Sequence, residues 1–246
     1  MRPVAKLQPG DVVVYSDSNG ETIHHIIEST YDPHRKAKEP LMANIGTYCS
    51  FCEERLPLSE MEIEHTIAIS NGGSSNEWDN FLLSCKICNT VKSNKSIPEG
   101  IHWPHKNNTF LSFVYDETGR VKVNTNIPAL SQQKAWNLLR LVQLDRYPNT
   151  QNKPTQCDNR WKRRFEIWNI ATDRKDEYLK GRCTVNAILD LAKECGHWSI
   201  WYSVFEGVNE IRQRLLSDFE GTCTSCFDPQ KQYAPSERNP NQSDPI

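Results

Sequence analysis

Two Cys-x-x-Cys pairs are the residues whose type and spacing point most directly to chemistry. They are Cys49 with Cys52, and Cys85 with Cys88. Four thiolates are a typical tetrahedral ligand set for Zn²⁺, and a site with four protein ligands has no open position for substrate. The sequence therefore predicts a structural Zn²⁺ site. Residues 53–84, the 32 residues between the pairs, are more than a simple zinc ribbon needs, so we expect other functional residues there.

The segment between and after the cysteine pairs carries further polar residues in a fixed order: Glu64-His65, Asn80, Asn89 and Lys92. Together with the cysteines, this order resembles the HNH endonucleases, a family with a ββα-metal fold. The resemblance covers residues 47–96. The chain departs from the common family pattern at Glu64, where aspartate is more frequent, and three residues after the histidine, where Ala68 replaces a proline.

The resemblance implies a role for each of these residues. Hydrolysis of a phosphodiester needs an activated water and neutralisation of the phosphoryl charge. His65 would be the general base, Glu64 and Asn89 would hold a catalytic Mg²⁺ or Mn²⁺, Asn80 would orient the loop and the histidine, and Lys92 would face the phosphate. From residue type alone, Asn80 could instead cap a turn, Asn89 could cap a helix, and Lys92 could be a solvated surface charge.

A wider resemblance covers most of the chain. The runs IGTYCSFCEERLPLS, EWDNFLLSCKICN, WPHKNNTF and FEGTCTSCFDP look like the PtuB-like HNH nucleases of Septu antiphage systems, which also occur beside retrons. This resemblance implies a role in phage defence and a PtuA-like ABC-type ATPase as partner. A retron reverse transcriptase with its noncoding RNA is a further candidate partner. The substrate would be nucleic acid, with DNA favoured and RNA, including tRNA, left open.

Two further groups of residues carry alternatives. His105, Asn107 and Asn108 could lie near the active site or form a turn before a hairpin. Another pair, Cys223 with Cys226, could join Cys183, Cys195 or His197 in a second metal site, or these could be isolated thiols.

Two other functions compete with a nuclease. A non-catalytic zinc ribbon that binds nucleic acid or protein needs the cysteines but not Glu64, His65, Asn80 and Asn89 in order. A zinc base deaminase needs His-x-Glu and Pro-Cys-x-x-Cys. The chain has Glu-His and Ser84 before Cys85, which excludes that class.

Charge is distributed unevenly along the 246 residues. Residues 49–82 contain seven Asp and Glu against one Arg, a balance of -6, whereas residues 134–182 contain twelve Lys and Arg against six Asp and Glu, a balance of +6. We therefore expect the basic helical region or a partner, and not the acidic surface around residues 53–64, to supply most substrate affinity. No apolar run reaches membrane-span length and no secretory signal is evident, so the expected location is the cytoplasm, without membrane association.

The predicted fold class is α+β: a zinc-knuckled HNH module with a β-hairpin, followed by a mostly helical C-terminal region. Helices are expected at about 33–45, from Cys88 or Asn89, at 131–146, 158–180, 184–195 and 199–218, with a strand at 11–15 and a hairpin at 109–124. The expected domains are 1–46, a strand and helix segment; 47–96, the HNH module; 97–127, the hairpin extension; 128–220, the helical region; and 221–246, a largely disordered tail.

Overall fold

The structure is a computed structural model that describes residues 1–17 and 19–240. Strands dominate its first half and helices its second. The strands are β1 (Val12–Ser16), β2 (Thr22–Ile26), β3 (Met61–His65), β4 (Phe81–Cys85), β5 (Phe113–Tyr115), β6 (Val121–Val123), β7 (Phe227–Asp228) and β8 (Ala234–Pro235). The helices are α1 (Lys38–Ile45), α2 (Lys86–Lys92), α3 (Thr109–Ser112), α4 (Ala129–Leu141), α5 (Arg160–Leu179), α6 (Val185–Cys195), α7 (Trp198–Val204) and α8 (Asn209–Asp218).

The hairpin β3–β4 followed by α2 is the ββα unit at the centre of the predicted module. The two strands pair antiparallel, with Met61 opposite Cys85 and His65 opposite Phe81. All five residues of β4 are buried. Cys85 ends β4 and also caps α2, because its sulfur accepts a hydrogen bond from the Cys88 N–H. The helix therefore begins at Lys86, slightly earlier than the sequence indicated.

The first cysteine pair forms a tight turn that docks on this unit. The Ser50 N–H donates to the Leu83 carbonyl at 2.8 Å, which fixes the turn against β4. Glu53 follows the pair with φ of 67°, in the left-handed region that favours glycine. Its buried carboxylate accepts hydrogen bonds from the N–H and hydroxyl of Ser199 at 2.9 and 2.6 Å. The turn is thus held on one side by the hairpin and on the other by the start of α7.

The helical region begins and ends close to the expected residues, with two differences. Residues 199–218 were expected to be one helix, but α7 and α8 are separate, because Gly207 between them has a φ of +80°. The helix expected over 131–146 is α4, which starts earlier, after Pro128, and ends at Leu141. Gln143 beyond it has a φ of 50°, which an α-helix does not accommodate.

The hairpin expected over 109–124 is only partly strand. Its first residues form the short helix α3, which Asn108 caps by accepting a hydrogen bond from the Leu111 N–H. The strands β5 and β6 are three residues each, with Phe113 opposite Val123. Strand β2, which pairs with β1, was not expected from the sequence.

The expectation that the tail is largely disordered is wrong for residues 221–240. Phe227 is buried and packs against Tyr202 and Trp198, with ring centroids 4.9 and 5.7 Å apart. The Cys223 N–H donates to the Pro3 carbonyl at 2.9 Å, so the segment also pairs with the start of the chain. Most residues of the segment are polar, but a few apolar side chains, such as Phe227, are buried in the core. Residues 241–246 lie outside the described residues.

One continuous cluster of buried apolar side chains runs from the first residues to Phe227 and includes the four predicted zinc ligands. The ββα unit therefore shares its core with the helical region. Among the described residues, no helix combines the length and apolar composition that crossing a bilayer requires.

Candidate metal centre and active site

The four cysteines of the two pairs converge at one buried point. The sulfurs of Cys49, Cys52, Cys85 and Cys88 lie within 4.8 Å of one another. In a regular tetrahedron with bonds of about 2.3 Å, sulfur atoms lie roughly 3.8 Å apart. The sulfurs of Cys52 and Cys85 are 3.7 Å apart. The donor set and the spacing therefore fit a structural Zn²⁺ with no open position.

Arg160 of α5 connects this cluster to the helical region. Its Nη1 donates to the Cys88 sulfur at 3.0 Å, and its Nη2 donates to the carbonyls of Val142 and Gln143 at 3.0 Å. Asp158 pairs with the same guanidinium at 2.7 Å. Four thiolates around one Zn²⁺ carry a net charge of -2, so a buried guanidinium beside one sulfur offsets part of it.

Glu64 lies in a buried ion pair on the face of β3 that α2 covers. Its Oε1 is 2.6 Å from the Lys92 ammonium, and the two side chains are 3% and 0% exposed. Burial raises the pKa of Glu64 to about 7, against the opposing effect of Lys92. Its Oε2 is buried and has no hydrogen-bond partner among the described residues. That oxygen has free lone pairs, which a hard divalent cation requires of its ligands.

Asn89 of α2 meets a different carboxylate. Its amide donates to Glu62, two residues before Glu64 on β3. Because side chains alternate along a strand, Glu62 and Glu64 face the same helix. Two carboxylates and one amide therefore line the side of β3 that α2 covers, and these oxygen donors suit Mg²⁺ or Mn²⁺.

His65 ends β3 and projects from the opposite side of the strand. Its Nε2 lies 3.0 Å from the Ser75 carbonyl oxygen. A carbonyl only accepts, so Nε2 carries the proton in the neutral ring and Nδ1 keeps a free lone pair. The ring packs against Phe81 and His34, with centroids 5.2 and 5.3 Å away.

Asn80 shapes the loop that reaches His65. Its Oδ1 accepts from the Thr66 hydroxyl and the Ile67 N–H at 2.7 and 2.8 Å, and its amide donates to the Ser74 carbonyl at 2.8 Å. Gly73 is required in this loop, because a Cβ there would lie 1.9 Å from the Ile67 carbonyl oxygen. The loop is thereby held with the Ser75 carbonyl against the imidazole.

The structure thus brings together a zinc-compatible cysteine cluster and a ββα unit whose first strand ends in a histidine. Residues 48–95 match the HNH endonuclease family. A search among curated proteins found no match to the chain. The matched segment, called the HNH domain below, covers the cysteine cluster and the residues from Glu62 to Lys92.

The structure brings four of the five residues of the predicted active site together in two pairs, and the fifth, Asn89, has a different partner. His65 and Asn80 meet through the Ser74–Ser75 loop, and Glu64 meets Lys92. Asn89 is hydrogen bonded to Glu62 and not to Glu64. The expectation that Lys92 faces a phosphate is not met in this conformation: its ammonium is buried and donates to Glu64 and to the His65 carbonyl at 2.6 Å.

Two residues of this region were missed from the sequence. Glu62 could have been found, since the Glu-x-Glu spacing places both carboxylates on one face of a strand. His34 could not, because it comes from a short helical turn 31 residues before His65 in the chain. Burial lowers the pKa of His34, and the neighbouring His65 lowers it further.

The second metal site considered around Cys223 and Cys226 does not form: among residues 1–17 and 19–240, the four HNH cysteines are the only group of three or more His, Cys, Asp or Glu side chains close enough together to hold one ion. Cys223 and Cys226 contact each other, with sulfurs 2.9 Å apart. His197 instead pairs with Glu54 at 3.0 Å.

The segment around His105 is a turn that holds the C-terminal residues. The Asn107 N–H donates to the Trp103 carbonyl, and the Asn108 amide donates to the carbonyls of Cys226 and Ser236 at 2.9 and 2.8 Å. His105 itself is buried.

The surface around residues 53–64, which was expected to be acidic, exposes fewer carboxylates than its sequence contains. Glu53 and Glu64 are buried, the first against Ser199 and the second against Lys92. Glu54, Glu60 and Glu62 line a cavity of about 650 Å³ beside the cysteine cluster, together with Arg160 and Arg163.

Proposed function

We propose that this chain is a metal-dependent endonuclease that hydrolyses phosphodiester bonds in nucleic acid, with DNA favoured and RNA, including tRNA, open. The observation that carries the proposal is the placement of His65. Its Nε2 donates to the Ser75 carbonyl, which leaves Nδ1 with the free lone pair that a general base needs, and Glu64, the residue before it in the chain, has a buried oxygen without a hydrogen-bond partner among the described residues. A match to the HNH endonuclease family over the same residues supports it.

In this proposal His65 is the general base. Its Nδ1 accepts a proton from water as the water oxygen attacks phosphorus, and the ester P–O bond on the opposite side breaks. The Ser75 carbonyl stabilises the protonated imidazole, and Asn80 keeps that carbonyl in place. The departing oxygen takes a proton from solvent.

Glu64 and Asn89 would hold the catalytic Mg²⁺ or Mn²⁺, with Glu62 as an additional ligand. The bound cation would neutralise charge on the phosphoryl and leaving oxygens. The unpartnered Glu64 oxygen and the oxygen-rich face of β3 fit such an ion. Lys92, in turn, orients Glu64 and the end of β3.

The test is cleavage by the full chain with added Mg²⁺ or Mn²⁺, on plasmid DNA and on single-stranded RNA. His65→Ala should lower cleavage by about 10²–10⁴-fold, which is the usual contribution of a general base, and should keep the zinc content. His24→Ala, a change at an exposed histidine, is the matched control. Equal cleavage by the two variants would show that His65 is not the general base. No cleavage by the wild-type chain with either cation would favour the other candidate, a non-catalytic zinc ribbon that binds nucleic acid or protein.

We further propose that the nuclease is the effector of an antiphage defence system and works in the cytoplasm with a PtuA-like ABC-type ATPase. Its support is the resemblance of the runs IGTYCSFCEERLPLS and EWDNFLLSCKICN to PtuB-like nucleases of Septu and retron-associated systems. Co-expression with an ATPase encoded beside the chain should give a complex whose cleavage depends on the ATPase. A pair that neither co-purifies nor changes cleavage would contradict this part alone.

A further inference from the structure

A groove outside the HNH domain combines arginines with aromatic rings. It lies between α4, the β5–β6 hairpin and the loop at 144–152, and encloses about 490 Å³. Its lining includes two ring–guanidinium pairs. Arg140 lies over the Trp136 ring at 5.6 Å, and Arg120 lies over the Tyr147 ring at 4.9 Å. We call this the Trp136 groove.

Most charged side chains that line the Trp136 groove are cationic, and two of them have no ion-pair partner among the described residues. Its lining includes Arg120, Lys122, Arg140 and Arg146 against a single carboxylate, Asp145. Lys122 and Arg146 are already paired, with Asp116 and Asp158 respectively. Neither Arg120 nor Arg140 has an ion-pair partner in the part of the chain that the structure describes. Two guanidinium groups are therefore available to an anionic ligand.

The aromatic side chains of the groove are placed for stacking. Trp136 is 41% exposed, although burial of a large aromatic ring is favourable. Tyr147 is half-buried and fixed edge-on by Trp161, with centroids 5.3 Å apart. Aromatic faces next to arginines are the surfaces on which unpaired nucleic-acid bases stack, while the arginines contact the phosphates.

A chain of ion pairs and hydrogen bonds joins the Trp136 groove to the HNH domain. Arg146 of the groove pairs with Asp158 at 2.7 Å, Asp158 pairs with Arg160, and Arg160 donates to the Cys88 sulfur. These contacts are buried or nearly so, and they fix the groove relative to the cysteine cluster. A strand held in the groove would thus be held at a constant position relative to the nuclease domain.

We infer that the Trp136 groove binds a single-stranded segment of the nucleic-acid substrate, with one or two bases stacked on Trp136 and Tyr147 and the phosphates on Arg120 and Arg140. This inference rests on the proposed nuclease function for its biological purpose. The enclosed volume lies within the range of small-ligand sites, which suits separate nucleotides. A duplex fits less well, because its bases remain stacked on each other and offer no free face to the rings.

The test measures binding of short fluorescent oligonucleotides to the full-length chain carrying His65→Ala, so that no cleavage occurs. Single-stranded DNA, single-stranded RNA and the matching DNA duplex are compared by anisotropy. Trp136→Ala should weaken single-strand binding at least about fivefold, because base stacking on an aromatic ring is a major part of such affinity, whereas Trp136→Phe should keep it. Arg140→Gln should lower the salt slope of binding by about 0.7.

Two matched changes control for unspecific effects. Leu130→Ala alters an exposed residue of the same helix α4, and Lys180→Gln removes an exposed charge at the end of α5. Neither should alter single-strand affinity. Unchanged affinity in Trp136→Ala, or tighter binding of duplex than of single strands, would overturn the inference. A preference between the DNA and RNA strands would identify which the groove holds.

The two proposals fail separately. If wild-type chain cleaves and His65→Ala does not, but Trp136→Ala binds normally, the groove is wrong and the nuclease stands. If Trp136→Ala loses binding while wild-type chain cleaves nothing with either cation, the groove stands and the nuclease fails.

Discussion

The HNH domain holds two candidate metal sites on one hairpin, and the two differ in how completely the chain fills them. In the cysteine cluster, four sulfurs converge and a buried arginine offsets their charge. On the face of β3 that α2 covers, the carboxylates of Glu62 and Glu64 are engaged by Asn89 and Lys92, and one oxygen of Glu64 has no partner among the described residues. A closed metal site, whose positions are all occupied by protein ligands, stabilises the fold, whereas an open site, with a position free, can bind an ion together with its substrate.

The largest expected effect comes from opening the closed site. Cys52→Ser removes one of four thiolates, and structural zinc contributes roughly 10 kcal/mol to folding in small zinc domains, so the HNH domain should unfold. Zinc content by mass spectrometry and unfolding by circular dichroism check this. Cys157→Ser, at an exposed cysteine, should change neither quantity. Full zinc retention by Cys52→Ser would show that the cluster is not the metal site.

Arg160 tests whether the closed site depends on the helical region. Arg160→Met should lower the free energy of unfolding by roughly 3–5 kcal/mol, because Asp158 loses a buried partner and the Cys88 sulfur loses its donor. Urea unfolding measures the loss. The control, Arg182→Met, breaks an exposed pair with Glu177 and should leave stability nearly unchanged. Similar stabilities for both variants would mean that the zinc cluster stands without support from α5.

Asn80 tests the active-site end of the hairpin without touching the cysteines. Asn80→Asp keeps the acceptor for Thr66 and Ile67 but removes the donor to the Ser74 carbonyl, at a cost of roughly 1–3 kcal/mol. Cleavage should fall while the zinc content stays constant. Asn71→Ala, which loses bonds only to exposed carbonyls, is the control. Loss of zinc in Asn80→Asp would contradict the separation of the two sites.

The dependence of stability on pH involves a buried histidine outside the HNH domain, His102. Burial lowers the pKa of His102 to about 4, below its ordinary value of 6.5. The unfolded chain therefore binds a proton first as the pH falls. The contribution of His102 is fully present above pH 6.5 and is lost as the pH falls towards 4, by roughly 3 kcal/mol.

Thermal unfolding of wild-type chain and His102→Asn at pH 7 and pH 5 measures this contribution. The variant should lose less stability on acidification, since Asn can still bond to the Ser112 hydroxyl. An equal loss in both proteins would show that other groups control acid stability.

The closed site could be predicted from sequence and the open one only in part. Cysteine spacing determines which sulfurs can meet, because each pair lies within one tight turn and the second pair caps α2. The partners of Glu64 and Asn89 depend on which strand face α2 covers, and His34 reaches His65 only through the tertiary fold. The packed segment 221–240 was missed for the same reason, since its few apolar anchors find partners far away in sequence.

The most direct test of two distinct metal sites on one hairpin is Mn²⁺ binding to zinc-loaded chain, followed by electron paramagnetic resonance. Glu64→Gln and Asn89→Ala should each weaken Mn²⁺ binding by about tenfold or more while the zinc content equals that of wild type. The control is Glu60→Gln, a change at an exposed neighbouring carboxylate. Unaltered Mn²⁺ binding in both variants, or zinc lost together with Mn²⁺, would contradict the account.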